Sequence, residues 1–503
     1  MRAVTAAQMR AIDAAAVARD GEIELMRRAG AAIARHVERH ARPAGALVAL
    51  AGNGNNGGDA YAALAAYDGP RARIVYADPD ARGSAARRDA RERALVAGVE
   101  ERPFPPDPQV LSTAGLLLDG ILGVNARLPL DPRSAALVDA IAAAGAPVLA
   151  LDLPTGIDPT NGAVDKHGFR AVATIALGRP KLGCLLEPAR ERVGELWCAP
   201  IGMRDDDAAG IDEPRTEVLD PEGFAALLPP RPDEADKRSS GAPLIVAGST
   251  QFPGAAVLCA WGAARAGAGY VTVAAPEGAA AALRAHLIEQ VVITYDERDP
   301  AAAVETIAQA ANRCSAVGIG PGLGLADAFT TIVNGVLERT NLPVVADAGA
   351  LYHLAKRLGA YREKPLVLTP HAGEFARLSG KGTIAPGDRL RRVRAFVDEY
   401  GIVTLLKGST TLVASREATH LNPTGTNALA TAGTGDVLTG MIATLLAQGL
   451  TPVDAARAGA YWHGRAGRLA AAERPRGIIA RDVAEALGRA SIVPPEQDDI
   501  RLS

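Results

Sequence analysis

Short apolar runs punctuate the first two hundred positions: Ala46-Leu47-Val48-Ala49-Leu50, then 72–76, 116–118, 147–151 and 174–177, each followed by a helix-length, alanine-rich stretch. Runs of this length predict strands buried on both faces, and the stretches between them are the crossovers that parallel strands require. A doubly wound α/β domain over residues 1–205 is therefore expected, with its ligands at the C-terminal ends of the strands. The pattern lapses between about 203 and 240, where Asp205-Asp206-Asp207, Glu213-Pro214, Pro229-Pro230 and Asp233-Glu234 crowd a segment of little apolar periodicity. Here the pattern predicts a linker, 206–225. It resumes with the strand-like Pro243-Leu244-Ile245-Val246-Ala247, a small-residue turn from Gly248 to Gly254 and a helix over 255–266, opening a second α/β domain over 226–492. Further on, Val437, Leu438, Met441, Ile442, Leu445 and Leu446 recur at helical spacing, so Gly433-Thr434-Gly435-Asp436 should stand at a helix N-terminus. Residues 493–503, with Pro494-Pro495 and Asp498-Asp499, read as a polar tail.

Length supports this division, because 503 residues exceed what one hydrophobic core usually serves. Charge removes other classes. With 54 Lys and Arg against 57 Asp and Glu, no global field favours nucleic acid or an anionic membrane. No uncharged run approaches the roughly 18 residues of a membrane span. The four cysteines, Cys184, Cys198, Cys259 and Cys314, lie far apart without C-x-x-C spacing, against a disulfide framework or a zinc site. A cytoplasmic, soluble protein is the expectation.

Candidate chemistry concentrates in two glycine-rich loops, each closed by an aspartate: Gly52-Asn53-Gly54-Asn55-Asn56-Gly57-Gly58-Asp59 and Gly433-Thr434-Gly435-Asp436. Each precedes a helical segment, where backbone amides and the positive end of a helix can meet a phosphate. The first loop holds too many residues tolerant of positive φ for an ordinary connection. Asp119 and Asp152 each follow an apolar run and should meet this loop in one crevice. Both sites should therefore take phosphorylated, nucleotide-like molecules.

The first loop, Leu118-Asp119-Gly120-Ile121-Leu122-Gly123 and Asp152-Leu153-Pro154-Thr155-Gly156-Ile157-Asp158 closely resemble the NAD(P)H-hydrate epimerase family. Gln8-Met9-Arg10-Ala11-Ile12-Asp13 and Glu24-Leu25-Met26-Arg27-Arg28-Ala29-Gly30 resemble its first helices. The resemblance implies a Rossmann-like fold and exchange of the R and S hydrates of NADH or NADPH (NADHX, NADPHX), with Asp119 as the acid/base residue. It implies potassium at Asn56, Asp119 and Thr155, and substrate contacts at Asn55, Asn56, Gly57, Gly58, Asp59, Gly123, Val124, Asn125, Ala126, Arg127, Leu128, Pro129 and Asp152.

The second half resembles the ADP- or ATP-dependent NAD(P)H-hydrate dehydratases of the ribokinase-like superfamily. Five segments carry the likeness: Pro253-Gly254-Ala255-Ala256, Gly320-Pro321-Gly322-Leu323-Gly324, Thr369-Pro370-His371-Ala372-Gly373-Glu374, Leu406-Lys407-Gly408-Ser409-Thr410 and Ala430 to Leu438. By this likeness Asp436 would be the base and a substrate contact, with Ala255, Gly322, Gly324 and His371 also on the hydrate. Lys407, Gly408, Ser409, Thr410, Thr411, Gly433, Thr434 and Gly435 would hold ADP, with magnesium. The family also implies a homo-oligomer, with the hydrates and ADP as its small-molecule partners.

The chain departs from the family pattern at Ala60, Val124-Asn125, Gly349 and Lys237-Arg238-Ser239-Ser240-Gly241. Two alternatives stay open. One is a vitamin or small-molecule kinase, which shares Gly-x-Gly-Asp; the other is a dehydratase with a noncatalytic N-terminal binding module.

Overall fold

The computed structural model describes residues 1–81, 83–204, 207, 215–230, 233–234, 236–492 and 499–503. Both halves are α/β. In the first, eight strands pair in the order Ile500–Arg501, Glu195–Ala199, Ala173–Leu177, Val148–Leu151, Leu116–Gly120, Leu47–Ala51, Arg73–Ala77 and Glu100–Pro103. All neighbours run parallel except the terminal Ile500–Arg501, which is antiparallel. The central strands Leu47–Ala51, Val148–Leu151 and Ala173–Leu177 are buried at every position, as sheets covered by helices on both faces require. From Leu47–Ala51 the chain builds outward to Arg73–Ala77 and Glu100–Pro103, then returns to the opposite side with Leu116–Gly120. That reversal opens a crevice beyond the C-terminal ends of Leu47–Ala51 and Leu116–Gly120, where ligands of such sheets bind.

The helix Glu22–His40 turns Leu25, Met26, Ala29, Gly30, Ala32, Ile33 and Val37 inward, one apolar stripe of a 3.6-residue repeat. A Cβ at Gly30 would lie 2.5 Å from the backbone of Ala62, so this helix and Asn55–Ala66 approach more closely than any larger residue allows.

In the second unit nine strands pair in the order Val291–Tyr295, Thr272–Pro276, Pro243–Val246, Ala316–Ile319, Val344–Ala346, Leu366–Leu368, Val403–Leu406, Thr411–Ala414 and Ala418–Asn422. The first seven are parallel and the last two continue antiparallel. Here the reversal falls between Pro243–Val246 and Ala316–Ile319. The buried helix Thr434–Ala447 lies against this sheet, with Val437, Leu438, Met441, Ile442, Leu445 and Leu446 all inside.

The compact units are Met1–Asp220 with Pro495–Ser503, and Pro221–Pro494. Of the expected linker 206–225, positions 206 and 208–214 lie outside the described residues. Its second half is ordered structure. Arg215–Val218 joins the N-terminus, Ala3 N donating to Thr216 O and Val218 N to Met1 O, and Phe224 is buried against Tyr461 and Trp462. Of the expected polar tail 493–503, positions 493–498 lie outside the described residues. Residues 499–503 extend the first sheet: Leu502 is buried, and Asp499 accepts two bonds from Arg35, at 3.0 and 2.7 Å. Apolar Ile500 and Leu502 and the partners of Asp499, remote in sequence, explain why local composition suggested otherwise.

Candidate active sites

In the first unit the loop after Leu47–Ala51 turns tightly under Ile121. A Cβ on Gly52 would stand 2.0 Å from the Ile121 carbonyl oxygen, and one on Gly57 2.0 Å from the Gly52 carbonyl oxygen. Only glycine fits either position. Gly54 caps the helix Asn55–Ala66, and Asn55 Nδ2 donates to Glu22 Oε1 at 2.8 Å. Asn56 Nδ2 donates to Leu122 O at 2.9 Å, whereas its Oδ1 is buried without a hydrogen-bond partner.

Asp119 lies in the strand Leu116–Gly120 and is 0% exposed. Its carboxylate accepts from Thr155 N at 2.7 Å, Thr155 Oγ1 at 2.8 Å and Ile121 N at 3.3 Å. Burial pushes its pKa up to about 6, and the bonds from Thr155 and Ile121 hold it from rising further. Thr155 Oγ1 in turn accepts from Leu122 N at 3.2 Å. Asn56, Asp119 and Thr155 thus each bond the backbone of the Ile121–Leu122 turn, and Thr155 Oγ1 joins Asp119.

Beside them lies a cavity of about 360 Å³, within the size range of small-molecule sites. Of the expected contacts, Asn55, Asn56, Asp59, Gly123, Val124, Asn125, Ala126 and Asp152 line it. Asp119 and Thr155 are not on its wall. Gly57 and Gly58 stand behind it, against Gly52 and against Met26 and Arg87, and Pro129 lines a separate cavity with Leu130 and Asp139. Arg127 and Leu128 are on neither wall.

Three charged residues of this cavity were absent from the expected set: Asp13, Glu22 and Lys181. Lys181 is buried, paired with Asp152 Oδ1 and donating to Leu177 O at 2.9 Å. Asp152 also accepts from Leu177 N at 3.1 Å and holds φ at 67°, a rare conformation for a residue with a side chain. Burial raises the Asp13 carboxyl to about 6, with Lys181 opposing and Asp152 adding to the rise. Burial, with Asp152 and Asp13 nearby, also holds the Asp59 carboxyl well above its usual range. One signal for Asp13 was present in the sequence. It stands four residues after Met9 and between Ile12 and Ala16, all buried, so it is a carboxylate on the inward stripe of its helix.

In the second unit the loops after Pro243–Val246 and Ala316–Ile319 are pressed together: Gly248 N donates to Pro321 O at 2.7 Å, and a Cβ on Gly322 would lie 2.8 Å from Ala255 Cβ. Ala255 and Gly322 therefore stand side by side. Gly324 neighbours them and its carbonyl oxygen lies 2.9 Å from His353 Nε2. Next along the sheet, Asp347 is buried between Lys407 Nζ, donating at 2.8 Å, and Thr439 Oγ1, donating at 2.9 Å. Ala348 follows with φ 48°, the second described non-glycine residue with positive φ. Strained backbone thus stands at a strand end in each unit, beside its carboxylates.

Gly433 caps the helix Thr434–Ala447 in the left-handed conformation. Burial, reinforced by Asp347 and opposed by Lys407, pushes the Asp436 carboxyl up to about 7. Burial on its own would lower the Lys407 pKa, but Asp347, Glu374 and Asp436 outweigh it and raise it. The Thr434 hydroxyl lies 2.8 Å from Leu429 O and 3.0 Å from Thr431 O, and its backbone N donates to Thr431 O at 3.4 Å. The Thr410 hydroxyl is buried without a partner, one side chain from Ser409 and Thr411 in the expected nucleotide segment. His371 is a helix cap: its Nδ1 accepts from Gly373 N at 3.0 Å and Glu374 N at 3.3 Å, while Glu374 Oε2 accepts from His371 N at 2.9 Å. Its Nε2 lies 3.5 Å from Glu374 Oε1, on the exposed side of the ring.

Two of the departures from the family pattern, Ala60 and Gly349, are accommodated locally. Ala60 is buried, and its Cβ fills the space beside Gly120. A Cβ at Gly349 would lie 2.6 Å from the Leu323 carbonyl oxygen, so in this backbone glycine is required there. The cysteines are free, and among the described residues no helix is long and apolar enough to cross a membrane, nor does any group of three His, Cys, Asp or Glu form a metal site.

Comparison with known proteins agrees with this two-site arrangement. Residues 22–183 match the family model described as YjeF-related protein N-terminus, and 243–489 the model described as NAD(P)H-hydrate dehydratase. The bifunctional NAD(P)H-hydrate repair enzyme of Salinibacter ruber is 35% identical, over 97% of this chain and 95% of its own. That of Mycobacterium tuberculosis is 36% identical, over 89% of each. Among solved structures, the ADP/ATP-dependent NAD(P)H-hydrate dehydratase of Bacillus subtilis, co-crystallised with ATP and Mg2+, is 33% identical over 55% of this chain and 97% of its own, with a TM-score of 0.47. With a relative so similar over nearly its whole length, the chain belongs to the family of bifunctional NAD(P)H-hydrate repair enzymes, an epimerase domain fused to a dehydratase domain.

Proposed function

We propose that the first unit interconverts the R and S hydrates of NADH and NADPH, and that the second dehydrates the S form at the expense of ADP. The observation that carries the reading is Asp436, a carboxylate of near-neutral pKa at the N-terminus of a helix, beside the Lys407–Asp347 pair. There it takes the proton of the ring hydroxyl as that oxygen attacks the terminal phosphate of ADP, releasing AMP. The resulting phosphate ester breaks its carbon–oxygen bond, phosphate leaves, and loss of a ring proton restores the dihydronicotinamide. Phosphoryl transfer depends on positioning and charge, which Lys407 and the amides of Gly433, Thr434 and Gly435 supply. Gly408, Ser409, Thr410 and Thr411 continue this nucleotide side, and Ala255, Gly322, Gly324 and the Nε2 edge of His371 face the hydrate. Magnesium accompanies ADP.

In the first unit the donor set fits potassium. Asn56 Oδ1 is buried and unpartnered, and Asp119 and Thr155 offer further oxygens, the ligand type of a hard cation. Held by these residues, the ion would supply a fixed positive charge. Asp119, enclosed by Thr155 and Ile121, serves in this reading as a ligand of that ion.

The test is to give the full-length protein the S hydrate of NADPH with ADP, ATP or no nucleotide, following dihydronicotinamide absorbance, AMP and phosphate. The expected result is recovery of NADPH in step with AMP and phosphate, with ADP as the preferred donor. A phosphorylated product that accumulates without recovery would contradict the dehydratase and favour the kinase alternative.

A further inference from the structure

Asp119 is sealed by its own hydrogen bonds and stands off the cavity wall, so the proton chemistry of the first site needs a group that faces the cavity. The titratable residues that do are Asp13 from the helix Ala6–Asp20, Glu22 from Glu22–His40, Asp59 from Asn55–Ala66, and Asp152 with Lys181 beyond the ends of Val148–Leu151 and Ala173–Leu177. Four carboxyl groups share one buried ammonium. Lys181 is already committed to Asp152, whose second bond comes from Leu177 N. Glu22 is occupied by Asn55. Asp59 lines the cavity but is only 9% exposed. Asp13 is left on the cavity wall, partly open to water and therefore able to exchange a proton with it.

We propose that Asp13 is the proton-transfer residue of the epimerase cavity and that the Asp152–Lys181 pair is the charged anchor against which it works. This rests on the hydrate reading of the site. The substrate hydroxyl sits on the ring carbon bonded to the ring nitrogen. The Asp13 carboxylic acid gives its proton to that hydroxyl, the carbon–oxygen bond breaks, water leaves, and the nitrogen lone pair forms an iminium. Water then adds to the opposite face and returns one proton to the Asp13 carboxylate, so the enzyme is regenerated and only the configuration has changed. Lys181 keeps Asp152 as a fixed anion, which stabilises the transient cation on the ring. The near-neutral carboxyl of Asp13 suits a group that must both give and take a proton.

The test measures epimer exchange from pure R hydrate in the full-length protein, without nucleotide and above the uncatalysed rate, across pH 5 to 9. Because the acid form of Asp13 starts the step, wild-type exchange should fall about tenfold per pH unit above its pKa. Asp13→Asn should lower exchange roughly 10²- to 10⁴-fold and abolish that limb, and Asp13→Glu should restore part of the rate. An unchanged urea-denaturation midpoint of the first unit reports that each variant is folded, and conversion of the S hydrate with ADP reports that the second unit is intact. Wild-type exchange that Asp13→Asn leaves intact, or a flat wild-type profile, overturns the role of Asp13 alone. A wild-type protein that exchanges no epimers overturns the hydrate reading of this unit with it.

Discussion

A carboxylate that must accept a proton near neutrality needs a proton affinity to match, and burial beside Asp347 gives Asp436 that property. Its ionised form is the working one, so dehydration should rise about tenfold per pH unit up to about 7 and then level off. The same raised pKa sets a stability cost. The folded state favours the protonated carboxyl, so this contribution is fully present below the unfolded value near 4 and is lost as pH rises through about 7. Asp436→Asn should therefore cut dehydration roughly 10²- to 10⁴-fold. At about pH 8 it should also stabilise the second unit by roughly 1–3 kcal/mol, an advantage that thermal denaturation at about pH 4 should not find. Asn56→Ala probes the cation instead: half-maximal epimer exchange should need roughly 10- to 100-fold more potassium, measured by titration in a sodium background. Individual residues were unevenly legible in the sequence. The glycine loops and the aspartates after apolar runs were visible as patterns. The enclosure of Asp119 was not, because Thr155, which supplies two of its bonds, lies 36 residues further along the chain.

At the scale of elements, loops whose glycines cannot be replaced fix where the helices begin. Gly433 holds φ at 89°, and a Cβ there would lie 2.4 Å from Leu258 Cδ1. Gly433→Ala should cost the second unit about 1–3 kcal/mol and lower the rate of dehydration more than it weakens the binding of ADP, because it displaces Asp436. Equilibrium denaturation and a kcat-against-KM comparison check both parts. Strands were the most legible elements: the apolar runs at 46–50, 72–76, 116–118 and 174–177 became Leu47–Ala51, Arg73–Ala77, Leu116–Gly120 and Ala173–Leu177. Full burial in a parallel sheet leaves little besides Val, Ile, Leu and Ala at such positions, which makes the runs stand out. The His371 turn shows the opposite case, since a capping box and a ligand contact draw on the same residue types.

At the scale of the molecule, the chain leaves the first unit after Asp220 and its described residues 499–503 belong to that unit again, so the dehydratase unit is inserted within the epimerase unit's own sequence. Composition could not show this return, which depends on Ile500–Arg501 pairing with Glu195–Ala199 and on Asp499 reaching Arg35 and His36. Removing residues 499–503 uncovers the Leu502 pocket and breaks the Asp499 bonds. It should destabilise the first unit by about 2–4 kcal/mol in urea denaturation while the second keeps its midpoint. Two sites in one chain also make a single assay decisive. Full-length protein is given equal R and S hydrates of NADPH with potassium, magnesium and ADP, beside the Asp13→Asn variant. The account predicts that wild type recovers all the NADPH while the variant recovers the S half and then slows to the uncatalysed rate of exchange. Wild type that stops at the S half, or a variant that consumes the R form as fast as wild type, would contradict it.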